Sequence, residues 1–238
     1  MKQKKHNRFL AAFLAVAMML QVLPMLAFAA EDMPLTKGKA KIGNTVYNSV
    51  MEAVKAAPAD GTTTTITLGE GNYTLYNVDG TGTTGDTTGR TTKGKNLTFV
   101  GQGTDKTGWN IGAEVPDPAN YGTEYNGDYS FDGAGTVTFK NMTLRSGSAD
   151  YLGFIRADKT VVENCVINGK TFYWGYTSAE FINTTFNPSD NDYAIWTYSS
   201  PVMTFNGCTF NGKGKVINVY TDYGAGNTIS RSTSKTVR

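Results

Sequence analysis

The stretch FINTTF, from Phe181 to Phe186, has close relatives elsewhere in the same chain. The related stretches are FKNMTL from Phe139, VENCVI from Val162 and FNGCTF from Phe205, preceded by a weaker copy, LTFVGQ, with Gly101 at the corresponding position. The shared third residues are Asn141, Asn164, Asn183 and Gly207, with spacings of 23, 19 and 24 residues. A repeat of this length is typical of stacked architectures in which each unit buries its apolar face against its neighbours.

Each of these hexamers alternates apolar and polar residues around its third position. In FKNMTL, the side chains of Phe139, Met142 and Leu144 point to one side, and those of Lys140 and Thr143 to the other. A period of two predicts a β-strand, here interrupted by one corner residue. Because Asn and Gly both tolerate the left-handed backbone conformation, the hexamer is predicted to be strand, corner and strand.

The pattern resembles the right-handed parallel β-helix of the pectin lyase-like superfamily, whose coils have about this length and favour Asn between the second and third strands. The resemblance covers Lys41 to Tyr220 and implies an all-β fold, a single-stranded right-handed parallel β-helix of about 6–7 rungs. The stretch TGWNIGA from Thr107 is predicted to add a rung between those of Gly101 and Asn141. The N-terminal part, from VYNSVMEAVKAAPADG through ITLGEGNYTL to KNLTFVGQGTDKT, is similar to the start of pectin methylesterases. The catalytic motifs of that family, which resemble GQAxAL, DFIFG and GRPW, do not occur.

Residues 1–29 have the features of a signal peptide. A basic start is followed by the apolar stretch FLAAFLAVAMML and by a small-x-small site at Ala27-Phe28-Ala29. An uncleaved single-span anchor is the alternative. We therefore expect a secreted or cell-envelope, extracellular protein.

The remaining chain divides into a linker at 30–40, a β-helix domain at 41–223 and a tail at 224–238. Loop insertions rich in Gly, Thr and other turn residues are predicted at 78–95 and 113–134. The tail shows no strand alternation, so we expect it to be disordered, to continue in a longer relative, or to leave an edge that another chain covers.

An amphipathic helix is predicted at residues 49–57. Ser49 and Glu52 form a capping box, and Pro58 ends the helix. One face is apolar and carries Val50, Ala53, Val54 and Ala57. In β-helix proteins such a helix covers the open start of the coil, and we assign it that role.

Charge and histidine content exclude several functions. Removal of the signal peptide takes four of the 22 basic residues and none of the 20 acidic ones, leaving 18 against 20. The chain shows no clustered basic footprint for nucleic acid. The only histidine, His6, lies in the signal peptide, which excludes imidazole chemistry in the mature protein.

Two cysteines, Cys165 and Cys208, each follow a corner residue, at the position that Met142 and Thr184 occupy in neighbouring rungs. All four side chains are predicted to point inward. Two rungs of about 4.8 Å separate the thiols, which exceeds the reach of an unstrained disulfide. We expect two free, buried thiols.

Aromatic residues recur every 22 residues in the strands that precede the hexamers. Trp174 and Trp196 share this spacing, as do Tyr176, Tyr198 and Tyr220. With Ile195 and Ile217 inward, both columns point outward and offer a flat surface on which a sugar ring can stack. Opposite strand parity, or cover by the loops, would remove this surface. The candidate ligand-binding residues are Trp174, Tyr176, Trp196, Tyr198, Tyr220, Asn218 and Arg156.

No catalytic residue is assigned. Polygalacturonases need a GHG histidine, which is absent, and pectate lyases need carboxylates gathered around calcium. The carboxylates nearest the predicted groove lie in turns, at Asp150, Asp190, Asp192 and Asp222. No cofactor is expected, and weak Ca²⁺ binding remains open.

We therefore expect a non-catalytic module that binds a polysaccharide or host glycoprotein. Similar modules of Gram-positive bacterial surface proteins imply adhesion. The alternative is a polysaccharide-active enzyme, pectate lyase-like or pectin esterase-like, with a non-standard site around Arg156, Asp150 and Asp192. A structural spacer is a third possibility, and the oligomeric state stays open.

Overall fold

The computed structural model describes residues 35–73, 91–111, 131, 133–146, 154–155, 157–169, 173–188, 193–197, 202–212, 214–219 and 228–231. All of them belong to one compact unit, Leu35–Arg238. Within these ranges the structure is predominantly β-sheet, with a single helix. No helix in this part of the chain is long and apolar enough to cross a membrane.

The first sheet contains nine strands within the described residues. In spatial order they are β2 (Thr45–Tyr47), β1 (Ala40–Ile42), β3 (Thr63–Leu68), β5 (Asn96–Val100), β7 (Thr136–Lys140), β10 (Lys159–Glu163), β13 (Ser178–Ile182), β16 (Val202–Asn206) and β19 (Thr228–Arg231). All neighbouring pairs from β3 to β19 are parallel. Only β1 pairs antiparallel, with β2 on one side and β3 on the other.

The second sheet contains six parallel strands in the same part of the chain. They are β4 (Gly71–Tyr73), β6 (Thr107–Ile111), β8 (Thr143–Ser146), β11 (Val166–Asn168), β14 (Thr185–Asn187) and β17 (Thr209–Phe210). Two further parallel pairs join β9 (Phe154–Ile155) to β12 (Tyr173–Trp174), and β15 (Tyr193–Thr197) to β18 (Lys215–Val219).

Strands of the first and second sheets alternate along the chain, and each new strand pairs with the preceding strand of its own sheet. Thus β10 leads to β11, and β13 and β14 then pair in parallel with these two. Parallel neighbours need a long connection to return the chain to the same end of the sheet. Here that connection contains the strands of the other sheets, an arrangement that is compatible with a β-helix-like fold.

The corner residues adopt the left-handed conformation that the sequence predicts. Asn141, Asn164, Asn183 and Gly207 have φ values of 56°, 53°, 48° and 65°. The Asn164 N–H donates to Ile182 O at 2.9 Å, directly before the next corner, and Asn183 Nδ2 donates to Asn164 Oδ1 at 3.2 Å. The corners therefore stack on successive rungs, linked by both backbone and side chains.

The rung of Gly101 lies directly beside that of Asn141, because β5 pairs with β7. The prediction of an additional rung at Thr107 is therefore wrong: Thr107–Ile111 is β6, the second-sheet strand of the Gly101 rung itself. Gly101 has no left-handed φ. A Cβ there would lie 2.5 Å from Asn141 O, so close approach of the next rung requires glycine at this corner.

Two columns of apolar side chains form the core. The first sheet contributes Ile66, Phe99, Phe139, Val162, Phe181 and Phe205, and the second contributes Tyr73, Trp109, Leu144, Ile167, Phe186 and Phe210. Phe181 stacks on Phe205 with ring centroids 5.2 Å apart, and Phe186 stacks on Phe210 at 4.6 Å. Each fully buried side chain of this kind contributes about 1.5–3 kcal/mol by leaving water, so in-register stacking stabilises the two sheets.

The predicted helix is present as α1 (Val50–Ala56), and it contacts β1, β2 and β3 at one end of the first sheet. Ser49 Oγ accepts from the Glu52 N–H at 3.2 Å. At the other end of the helix, the buried Lys95 ammonium donates to Val54 O at 2.6 Å. A cation at this position satisfies a terminal carbonyl and complements the helix dipole.

The predicted insertions and tail need correction where the structure describes them. Most of 78–95 and 113–134 lies outside the described residues, but the described ends are buried rather than exposed, with Thr92 and Lys95 in the first and Phe131 in the second. The tail at 224–238 contains β19, whose Thr228 lies opposite Val202 of β16. The folded domain therefore extends past residue 223. The sequence did not indicate a strand here, because three of the four residues of β19 are polar and the segment shows little alternation of apolar and polar residues.

Candidate functional site

Trp174 is a core residue, and its predicted outward orientation is wrong. It lies opposite Ile155 in the β12–β9 pair, and the two side chains are 2% and 1% exposed. The indole meets the ring of Phe181 edge-on, with centroids 5.2 Å apart. The buried residue of β15 is Ile195, so Trp174 shares the inward parity of Ile195 and not the position of Trp196. A shift of one residue reverses the side to which a strand residue points.

Trp196 and Asn218 occupy one register position, opposite each other in the β15–β18 pair. The 22-residue spacing therefore does identify neighbours in this pair of strands. Trp196 does not pair with Trp174, because β12 and β15 belong to different two-stranded sheets. Three other candidates, Tyr198, Tyr220 and Arg156, lie outside the described residues, as do Asp150, Asp190, Asp192 and Asp222.

Tyr176 is the one candidate whose described side chain is exposed, at 43%. It lies in the turn between β12 and β13, where its N–H donates to Ala157 O at 3.0 Å. Gly175 before it has a φ of 113°, so the turn depends on glycine. An exposed aromatic ring on a fixed turn is a suitable contact for a sugar ring.

A second column of asparagines lies on the second sheet, and we refer to Asn168, Asn187 and Asn211 as the amide ladder. Asn211 Nδ2 donates to Asn187 Oδ1 at 2.8 Å, and Asn187 Nδ2 donates to Asn168 Oδ1 at 3.0 Å. These amides lie at the surface. A primary amide has two N–H donors and two lone pairs on its oxygen. Asn187 therefore keeps one donor and one acceptor for a ligand after both ladder bonds are made.

Arg145 continues this column on the next strand, because it lies opposite Asn168 in the β8–β11 pair. Its guanidinium folds back along the sheet over Gly108: a Cβ on Gly108 would lie 2.6 Å from Arg145 Nη2 and would also collide with Asn72 Oδ1. Gly108 therefore provides a floor on which the side chains of Arg145 and Asn72 come together. From Arg145 onward, the column presents one cation followed by three amides.

The sequence contained a signal for this column that the sequence analysis missed. Arg145, Asn168, Asn187 and Asn211 each lie four residues after a corner. The strand after the corner is only two or three residues long in β11, β14 and β17. The asparagine at or directly after the end of each strand therefore resembles the start of a turn rather than a repeated surface position.

The two thiols are buried, as predicted, and neither is in a disulfide. Cys165 Sγ contacts Phe139 O at 3.6 Å, and Cys208 Sγ contacts Phe181 O at 3.3 Å. Thr184, on the rung between them, is fully buried as well. Burial raises the pKa of both thiols, that of Cys165 to about 12. Since the thiolate is the reactive form, both side chains act as core residues.

No group of three or more His, Cys, Asp or Glu side chains that could hold a metal ion occurs among the residues that the structure describes. Comparisons with protein-family models, with curated proteins and with solved structures found no match to this chain.

Proposed function

We propose that the chain is a non-catalytic module of a secreted or cell-surface bacterial protein, and that it binds a glycan or a host surface. In this proposal the parallel sheets form a right-handed parallel β-helix of the pectin lyase-like kind, with α1 covering its first end. The alternation of strands between sheets and the stacked corners Asn141, Asn164 and Asn183 support this architecture.

The amide ladder carries the functional proposal. Asn168 and Asn187 are the last residues of β11 and β14, and Asn211 directly follows β17. Neighbouring strands of a sheet are spaced by about 4.8 Å. Each amide can donate and accept at once, as neighbouring sugar hydroxyl groups do. A rigid row of such groups fits an extended polysaccharide that lies along the stack, because consecutive sugar units then meet equivalent amides without reorganisation of the protein.

Aromatic residues form a second contact surface in this proposal. Tyr176 is exposed on its turn, and Trp196 and Asn218 share a register position. Tyr198, Tyr220 and Arg156 complete the proposed surface from the sequence pattern. Trp174 has no place in it, because its indole is buried against Phe181.

Binding to a panel of immobilised polysaccharides and mucin tests the proposal. The parent should bind at least one member, and Asn187→Ala combined with Asn211→Ala should weaken that binding by about tenfold, the equivalent of one or two lost hydrogen bonds. Val202→Ser is the matched control, because Val202 is exposed on the first sheet instead. Thermal melts would verify that all variants are folded. A parent that binds no member, or a double variant that binds as well as the control, would refute the proposal.

A further inference from the structure

Among the described residues of the column that contains the amide ladder, Arg145 is the one basic residue. Its guanidinium lies over Gly108 rather than extending into solvent, because the missing Cβ leaves room there. Arg145 of β8 lies opposite Asn168 of β11. On the other side of β8, Gly108 of β6 lies opposite Asn72 of β4. The cation is therefore held at a defined place on the outer face of the second sheet.

The guanidinium makes no hydrogen bond or ion pair to the residues that the structure describes. Arg145 Nε is buried and has no hydrogen-bond partner. The ion pairs described in this part of the chain join Lys106 to Glu70 and Lys140 to Glu163, and neither includes Arg145. A buried donor on a charged group is costly to leave unpaired. Nε itself is enclosed, so an acceptor from outside the domain would meet the Nη groups of this partly buried side chain.

The direction of the amide ladder adds a second donor at the same place. Since Asn211 donates to Asn187 and Asn187 donates to Asn168, the oxygen of Asn168 is used and its Nδ2 remains at the end of the ladder. Asn168 and Arg145 are direct neighbours in register. Two donor groups thus lie on adjacent strands, and neither donates a hydrogen bond to a described residue.

We propose that Arg145 and Asn168 form an oxyanion-binding subsite, with Gly108 as its floor, for a carboxylate or sulfate group carried by the bound glycan. This inference rests on the proposed function, since the remaining ladder amides then contact the adjacent sugar units. Both groups present paired oxygens that match the guanidinium fork. The subsite makes the module selective for anionic glycans over neutral ones of the same backbone.

Dextran, carboxymethyl dextran and dextran sulfate test this selectivity, because they share one backbone and differ in charge. The parent is expected to bind at least one anionic form about tenfold more tightly than dextran, as a charge-assisted hydrogen bond implies, and the two anionic forms separate carboxylate from sulfate as the source. Arg145→Gln should remove the preference. Gly108→Ala should reduce it by displacing the guanidinium. Lys159→Gln changes the net charge equally at an exposed position of the first sheet and should retain the preference.

Inorganic sulfate separates failure of the subsite from failure of the proposed function. Sulfate should raise the melting temperature of the parent more than that of Arg145→Gln, because its general stabilising effect is common to both proteins. If this occurs although the parent binds no dextran and no member of the polysaccharide panel, the subsite stands and glycan binding is refuted. If dextran forms bind without a charge preference, or if Arg145→Gln keeps the preference, the subsite is refuted and the module remains a glycan binder. If neither sulfate, any dextran nor any member of the polysaccharide panel binds, both proposals are overturned.

Discussion

Asn183 offers the sharpest test of the stacked corners, because its backbone and its side chain contribute separately. Its φ of 48° lies in the left-handed region, which costs a residue with an ordinary Cβ roughly 1–2 kcal/mol. Its Nδ2 also donates to Asn164 Oδ1 at the surface, a bond worth about 0.5 kcal/mol there. Asn183→Ala should therefore lower the free energy of unfolding by about 1.5–2.5 kcal/mol.

Asn183→Gly provides the matched comparison, because glycine adopts this φ without strain. It loses the side-chain bond and adds unfolded-state entropy, so we expect a cost of about 0.5–1.5 kcal/mol, smaller than that of alanine. Gly207 already occupies the next corner in the same conformation.

Asn187→Ala is the control for the side-chain contribution, since Asn187 lies in β14 and makes two ladder bonds without a left-handed backbone. Its cost should be about 1 kcal/mol. Urea denaturation gives all three values from the midpoints, provided that the slope is unchanged. The corner reasoning is refuted if Asn183→Ala costs no more than Asn187→Ala, or if glycine costs more than alanine at position 183.

Three further predictions concern buried groups. Trp174→Ala should lower the free energy of unfolding by about 3–5 kcal/mol because it leaves a cavity, whereas Tyr176→Ala should stay within about 0.5 kcal/mol; equal costs in urea would contradict the two orientations. Lys95→Met should cost about 1–3 kcal/mol, since Val54 O loses its charged donor, and a variant as stable as the parent would show that this bond is not made. Burial raises the pKa of the Cys165 thiol from 9.0 to about 12. Because the pKa is higher in the folded protein, the thiol's contribution to the free energy of unfolding is complete below pH 9.0 and is lost as the pH rises towards 12. In Cys165→Ser, the free energy of unfolding should therefore decline less steeply over this pH range. An identical decline in both proteins would contradict the raised pKa of Cys165.

The corners were predictable because they combine two independent constraints. Asn141, Asn164 and Asn183 recur at coil-length spacing, and each belongs to a residue type that tolerates a positive φ. The same alignment correctly predicted that Cys165 and Cys208 are buried. Each cysteine directly follows a corner residue, so the corner determines the side to which the thiol points.

The orientation of Trp174 was not predictable from spacing. β12 is only two residues long, so it has no alternation of its own that would fix which side faces inward. The 22-residue comparison with Trp196 joined two strands that the structure assigns to different sheets. This alignment was wrong by one residue, and a shift of one residue in a strand moves a side chain from the core face to the surface face.

The amide ladder was missed for a different reason. Asn168 and Asn211 are each followed by glycine, and Asn187 is followed by proline. Such dipeptides are strong turn signals, so the sequence does not mark these residues as a repeated surface position. Only the pairing of β8, β11 and β14 shows that Arg145 and the first two amides of the ladder form a continuous polar column.

Cross-linking of adjacent coils tests the in-register stack most directly. Val161 lies opposite Glu180 in the β10–β13 pair, about 4.8 Å away, which is within the Cα separation of about 4.4–6.8 Å that a disulfide needs. Ile182 lies opposite Glu163, so a cysteine there would lie about 8 Å from position 161. Under mild oxidation, peptide mapping of Val161→Cys with Glu180→Cys should find the cross-link in most molecules, and Val161→Cys with Ile182→Cys should give little. A cross-link in neither protein, or mainly in the second, would contradict the stacking of successive coils in this register.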